Sequence, residues 1–217
     1  MKNILIIGLG RFGRIAAAAL TTRENQVLGV DKSEKRVNDA LPFLTSAQIG
    51  DATDPQFLEA LCVDNFDVCI VAIGDDFRAS VEATALLKEL GAPLVVSRAS
   101  DDLHSRILKR SGADDIVYPE KQMAEWTAVC YSSEMISDYI PLTGGYAIME
   151  VEIPENWNGK AVNELDIRRK YGINIIGMKT DHGMIPSISP DTVLRSEQHI
   201  LVLGTNENIS KCFKFDR

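Results

Sequence analysis

The chain has 217 residues, enough for one large domain or a medium domain with a small companion. A formal net charge of −8 and a pI near 5.0 argue against general binding to nucleic acid or to an anionic membrane surface, because phosphate arrays demand a basic face. No apolar run approaches the ~20 residues needed to span a bilayer, and Met1-Lys2-Asn3 leads straight into a strand-length apolar stretch, so neither a transmembrane helix nor a signal peptide is expected.

The first part of the chain alternates β-rich runs with helical stretches. The runs are NILIIG (3–8), QVLGVD (26–31), SAQIGD (46–51), DVCIVAIG (67–74), PLVVSRA (93–99) and DDIVYP (114–119). Between them the apolar residues recur at helical spacing, and Gly91 and Gly112 stand at helix ends. Strand then helix, repeated, predicts an α/β fold: a doubly wound parallel sheet of Rossmann type over residues 1–120. Residues 120–140 (EKQMAEWTAVCYSSEMISDYI) predict one long amphipathic helix, packing either on its own sheet or on a second copy. Pro141, Gly144 and Gly145 then punctuate, so 121–144 read as a crossover helix and hinge. From 145 to 217 the pattern changes. YAIMEVEIP, INIIGMKT, MIPSISP and HILVLGT predict strands, GKAVNELDIRRKYG a short helix closed by Gly172, and Asp181-His182-Gly183 a turn, giving a small α+β module. The four cysteines, Cys62, Cys69, Cys130 and Cys212, lack C-x-x-C spacing and read as reduced thiols of a cytoplasmic protein.

The candidate sites gather at strand ends of the first part. IIGLGRFGR places Gly8, Gly10 and Gly13 in a G-x-G-x-x-G between a strand and a helix, the context in which this pattern cradles a phosphate. Arg11 and Phe12 occupy its variable positions. Asp31 closes the second strand and fits a ribose acceptor, which disfavours a 2′-phosphate; neighbouring Lys32 softens that exclusion, and a helix-capping role for Asp31 stays open. Asp51, Ala52 and Thr53 in GDATD, and Ile73 and Gly74 in AIGDD, lie at carboxyl ends of strands, where ligands of open α/β sheets bind. Asp54 reads equally as a helix cap, and Asp75 and Asp76 read as surface acids. Arg98, ending the fifth strand, would join Arg11 as a second cation near a terminal polyphosphate, unless local acids pair it. Glu120 fits the first turn of a helix. No recognisable catalytic constellation of His, Ser, Cys or Asp is present.

These stretches, in the order IIGLGRFG, VD, GDATD, VAIG, LLKELGAP and H…ILKRSGADDIVYPEK followed by a C-terminal module, resemble the cytosolic regulatory subunits of Trk/Ktr potassium uptake systems, which are RCK-domain proteins. The resemblance implies a non-enzymatic sensor that binds ATP, ADP or NAD(H) without turning it over. It implies a homodimer assembling into an octameric ring, docked on a membrane potassium channel or transporter subunit of the TrkH/KtrB kind at the inner face of the membrane. It places Arg11 at a terminal phosphate, Asp31 at the ribose, and Glu120 at a divalent cation or sodium in a dimer interface. The C-terminal module resembles RCK_C, where some members bind cyclic di-AMP between two copies. The matching residues are Asp166, Arg168, Asn174, Ile175 and Pro186, while Val162-Asn163 departs from the usual aliphatic pair. Two alternatives remain: an NAD-dependent oxidoreductase, and the same sensor attached to a cation/proton antiporter.

Overall fold

A computed structural model describes residues 1–181 and 183–215, in two compact units that meet in sequence between Lys121 and Gln122. His182, from the expected turn, lies outside the described residues.

The first unit is a six-stranded parallel sheet. Its strands are β1 (Asn3–Ile7), β2 (Gln26–Asp31), β3 (Ser46–Ile49), β4 (Val68–Val71), β5 (Val95–Arg98) and β6 (Asp115–Val117), in the order β3-β2-β1-β4-β5-β6. Central β1 reads NILII and buries Ile4, Leu5, Ile6 and Ile7, because helices cover both of its faces. Those helices are α1 (Arg11–Thr21), α2 (Glu34–Ala40), α3 (Pro55–Ala60), α4 (Phe77–Glu89), α5 (Asp102–Arg110) and the start of α6 (Pro119–Cys130). On one side Leu5, Ile7, Val71 and Leu87 share a core cluster; on the other Ile4, Ile6, Ala17 and Val37 do.

The N-termini of these helices decide where a ligand can go. Ser33, Asp54, Asp76 and Asp101 cap α2, α3, α4 and α5 through their side chains. Capping satisfies N–H groups that have no partner inside the helix. Helix α1 begins at Gly10 with no side-chain cap. Asp54, open between two readings in the sequence, is thus a cap, and Asp54→Ala is expected to lower stability by about 1 kcal/mol in urea unfolding. An unchanged midpoint would mean that the Asp54–Gln56 bond contributes nothing.

The second unit is an antiparallel sheet of β7 (Ile136–Pro141), β8 (Tyr146–Glu152), β9 (Asn174–Thr180), β10 (Gly183–Ile185) and β11 (His199–Thr205), ordered β10-β9-β11-β8-β7. Alternation sets its inner face: Ala147, Met149 and Val151 on β8, Ile200 and Val202 on β11. Helices α7 (Val162–Leu165), α8 (Ile167–Tyr171) and α9 (Asn206–Phe213) complete the unit, with Ile167, Ile209 and Phe213 in the same core as Trp157 and Leu194.

Four expectations change here. The helix expected over 120–140 ends at Cys130, and its second half is β7, paired antiparallel with β8. Ser132-Ser133 interrupts the helical period, and the Ile136 and Tyr139–Ile140 segment finds a sheet edge that no local pattern reveals. The expected helix across GKAVNELDIRRKYG breaks at Asp166, which sits in the left-handed region at φ 49°, and so becomes α7 and α8. The strand expected over MIPSISP stops at Ile185, before Pro186, which has no N–H to give a ladder. Helix α9 was not foreseen, although Thr205 accepts the Asn208 N–H as its cap and Ile209, Cys212 and Phe213 recur at helical spacing. Among the cysteines, only Cys62 is exposed and none forms a disulfide; burial pushes the Cys69 and Cys212 thiols up to about 12, which leaves both inert.

Candidate functional site: the cleft at the sheet's switch point

The strand order reverses between β1 and β4, and at their carboxyl ends opens a cleft of about 840 Å³. Open α/β sheets bind ligands at this reversal, because the loops diverge there to opposite faces. The glycine loop forms its floor. Gly8 turns the chain at φ +95°, a conformation that side-chain-bearing residues rarely adopt. A Cβ on Gly13 would stand 1.9 Å from the Gly8 carbonyl oxygen, so only glycine lets α1 seat against the loop. A Cβ on Gly10 would meet nothing within 4 Å: the space above the uncapped start of α1 is open.

Asp31 is 5% exposed. Its Oδ2 accepts the Leu9 N–H at 2.8 Å and its Oδ1 the Ser33 N–H at 2.8 Å. The carboxylate therefore ties the glycine loop to the β2–α2 turn. Ser33, not Asp31, caps α2. Arg36 Nη1 approaches Asp31 Oδ2 at 3.5 Å, and Arg36 also lines the cleft. The sequence reading missed Arg36, together with Arg14, Ile15 and Asp39, which line the same space.

Cations crowd this cleft, yet most are already paired. Arg14 meets Asp39 at 3.8 Å, Lys32 meets Asp76 at 3.7 Å, and Arg98 Nη2 meets Glu120 Oε1 at 2.5 Å. Arg98 lies against Gly74, where a Cβ would stand 1.9 Å from Nη1, and over the Phe12 ring at 5.8 Å. Its positive charge is thus engaged by Glu120, the local-acid pairing that the sequence left open, while Arg98 still lines the cleft. Arg11 lines the cleft, is exposed, and makes no hydrogen bond or ion pair among the described residues. The Glu120 carboxyl is held below the usual carboxylate range by its own backbone N–H, then by Arg98, with a contribution from Arg11.

Asp51, Ala52 and Ile73 line the cleft, whereas Thr53 is outside the lining: its N–H and hydroxyl both donate to Asp51 Oδ1. Those two bonds, the backbone one first, lower the Asp51 pKa. Asp75 and Asp76, expected as surface acids, line the cleft too, and Asp76 caps α4. No three His, Cys, Asp or Glu side chains converge as a metal site among the described residues, and Glu120 is bonded to Arg98.

In the second unit Asp166 is bonded to Arg169 at 3.0 Å. Arg168 is exposed and makes no ion pair among the described residues. Asn174 and Ile175 begin β9, and Pro186 follows β10 beside Gly177.

Comparison with known proteins agrees with this architecture. The TrkA-N domain model matches residues 4–119 and the TrkA-C domain model residues 148–215. The Ktr system potassium uptake protein C of Bacillus subtilis (strain 168) is 37% identical over 210 residues, covering 97% of this chain and 95% of that protein. The Ktr system potassium uptake protein A of Vibrio alginolyticus is 31% identical, covering 98% and 97%. Among solved structures, the GsuK RCK domain superposes with a TM-score of 0.69 at 19% identity over 99% of this chain and 47% of that one, a likeness of fold. With potassium-uptake proteins as relatives over nearly their whole length, the dehydrogenase alternative falls away. The chain belongs to the TrkA-type RCK family of Ktr and Trk potassium-uptake proteins, as a non-enzymatic regulatory subunit.

Proposed function

We propose that the cleft senses a nucleotide and that the chain passes its occupancy to a membrane potassium channel or transporter subunit. The carrying observation is the pairing pattern: the uncapped start of α1 and the unpaired Arg11 stand together at one end of a cleft whose other cations are neutralised. A helix N-terminus offers N–H donors and a positive dipole to phosphate. Arg11 adds a multidentate contact for a terminal phosphate. Asp31 Oδ1 keeps an acceptor site for a ribose hydroxyl. This donor set fits ATP or ADP and admits NAD(H).

A ligand shifts a gating equilibrium only by its differential affinity for the two states. Arg11 is the group that can register the difference between ATP and ADP. The assembly we infer is a homodimer built into an octameric ring at the cytoplasmic face of the membrane, held there by the transporter subunit. A divalent cation or sodium at Glu120 would compete with Arg98 and needs ligands from a second copy. Cyclic di-AMP at Asp166, Arg168, Asn174, Ile175 and Pro186 is supported in the second unit by the unpaired Arg168 alone.

A thermal-shift panel with ATP, ADP, NAD, NADH and cyclic di-AMP tests the reading, since binding stabilises the folded form with concentration over affinity. Shifts with ATP or ADP, without turnover, are expected. No shift from any nucleotide would sink the proposal. Arg11→Ala is expected to weaken ATP about tenfold or more while leaving ADP within a few fold. Undiminished discrimination between the two in that variant would remove Arg11 from the mechanism.

A further inference from the structure

Three buried polar atoms next to this cleft's elements lack a hydrogen-bond partner among the described residues: Ser80 Oγ on α4, Arg98 Nε on β5 and His104 Nε2 on α5. His104 is fully buried, with its ring 4.9 Å from that of Phe77. Its Nδ1 accepts the Ser100 backbone N–H at 3.2 Å and meets the Ser100 hydroxyl at 3.1 Å. Asp101 Oδ1 accepts the His104 N–H at 2.7 Å in return. The two bonds resemble a capping box shifted by one residue: each end of the turn holds the other. That turn follows Arg98 directly along the chain.

Accepting the Ser100 N–H requires a bare Nδ1, so the proton of the neutral ring sits on Nε2. Arg98 Nε and His104 Nε2 are then both donors, and neither can satisfy the other. Of the charged groups around the ring, Asp101 belongs to its own helix and Arg98 to β5. The α4 neighbour Phe77 carries no charge, and Glu120 reaches the set through Arg98. Burial first, then Arg98, pushes the His104 pKa below 6.5, against an opposing pull from Asp101.

From these contacts we infer that His104 is a positioning residue for the nucleotide cleft: by bonding Ser100 it holds the β5–α5 turn and keeps the Arg98 guanidinium seated against Gly74, Phe12 and Glu120. This rests on the nucleotide reading of the cleft. Arg98 covers Phe12, the neighbour of Arg11 on α1, and neutralises Glu120 at the end of the cleft where Arg11 stands. A loosened turn frees Glu120 to pair with Arg11, which removes the unpaired cation that a terminal phosphate would meet.

The test is calorimetric titration of ATP into the full chain. Wild type is compared with His104→Leu, His104→Asn, Arg98→Ala and the Arg98→Ala/His104→Leu double variant. His104→Leu deletes the acceptor and is expected to weaken ATP about tenfold, the scale of one buried hydrogen bond. His104→Asn can offer Oδ1 to the same Ser100 N–H and is expected to stay within about threefold. In the Arg98→Ala background, His104→Leu is expected to cost less than about twofold, because the two act as one unit. Additive losses would overturn the inference and leave His104 as ordinary core. Arg98→Ala weakening ATP while His104→Leu does not would also overturn it, with the cleft reading intact. No loss in Arg98→Ala would likewise overturn it, whereas failure of the wild type to bind ATP would overturn the cleft reading itself.

Should His104→Leu fail to fold, the pH dependence of ATP affinity in wild type and His104→Asn decides. A histidine whose folded pKa is depressed gives its full contribution above its ordinary value of 6.5 and loses it as pH falls through the lower folded value. Protonation takes the Nδ1 lone pair that accepts the Ser100 N–H, so wild-type affinity is expected to fall relative to His104→Asn as pH drops from above 6.5 through the lowered folded value. The nucleotide's own titration is common to both proteins and cancels. Parallel curves would overturn the inference.

Discussion

Gly13→Ala is expected to destabilise the first unit by about 2–3 kcal/mol, despite replacing glycine with the best helix former. Two effects of opposite sign meet at this position. Alanine in a helix interior gains about 1 kcal/mol over glycine. Its Cβ, however, would stand 1.9 Å from the Gly8 carbonyl oxygen, and further contacts follow at 3.1 Å from the Gly8 carbonyl carbon and 3.4 Å from the Ala72 Cβ. No side-chain rotation relieves a clash with backbone, so α1 must shift away from β1 and open the core around Ile6 and Ala17. Gly10→Ala is the matched control. Its Cβ meets nothing within 4 Å and its φ is −66°, so the stability change should stay under about 1 kcal/mol. Urea unfolding of both variants checks this. Equal midpoints for Gly13→Ala and wild type would show that the loop and helix are not packed as described.

Asp31→Asn is expected to cost about 2–3 kcal/mol of stability and to weaken nucleotide binding about a hundredfold. The substitution is nearly isosteric, which isolates the chemistry. The carboxylate accepts from two backbone N–H groups, one on each oxygen: Leu9 on Oδ2 and Ser33 on Oδ1. An amide has one oxygen and one NH₂, so one of the two N–H groups would face a donor. Asp31 is 5% exposed, and water has little room to compensate. The acceptor capacity proposed for a ribose hydroxyl is halved with it. Chemical unfolding with and without ATP separates the two effects. A variant that keeps both stability and affinity would show that Asp31 neither braces the loop nor meets the ligand.

Much of the first unit is legible in the chain. Apolar runs of strand length alternate with helical periods, and glycines stand at two helix ends, so the element order and the parallel class follow from local pattern alone. The glycine loop is legible because its three glycines answer three separate backbone demands within six residues. Long-range pairings are not legible. Arg98 and Glu120 lie 22 residues apart, and only the adjacency of β5 and β6 brings the guanidinium to that carboxylate. Arg36 reaches Asp31 because α2 begins directly above the end of β2. The break after Cys130 escaped a periodic reading, because a segment that reads as amphipathic helix also satisfies β8 as an edge strand.

The sequence by itself determined the two-part architecture, the glycine turn between the first strand and helix, and the likeness to an RCK regulator. These rest on residues close together in the chain, where backbone geometry and side-chain period leave few alternatives. Which arginine is available to a ligand was decided only by the tertiary structure. Each cation in the cleft carries the same charge in the sequence; what differs is the carboxylate that folding brings within reach. Arg14, Lys32, Arg36 and Arg98 each receive one, and among the described residues Arg11 does not.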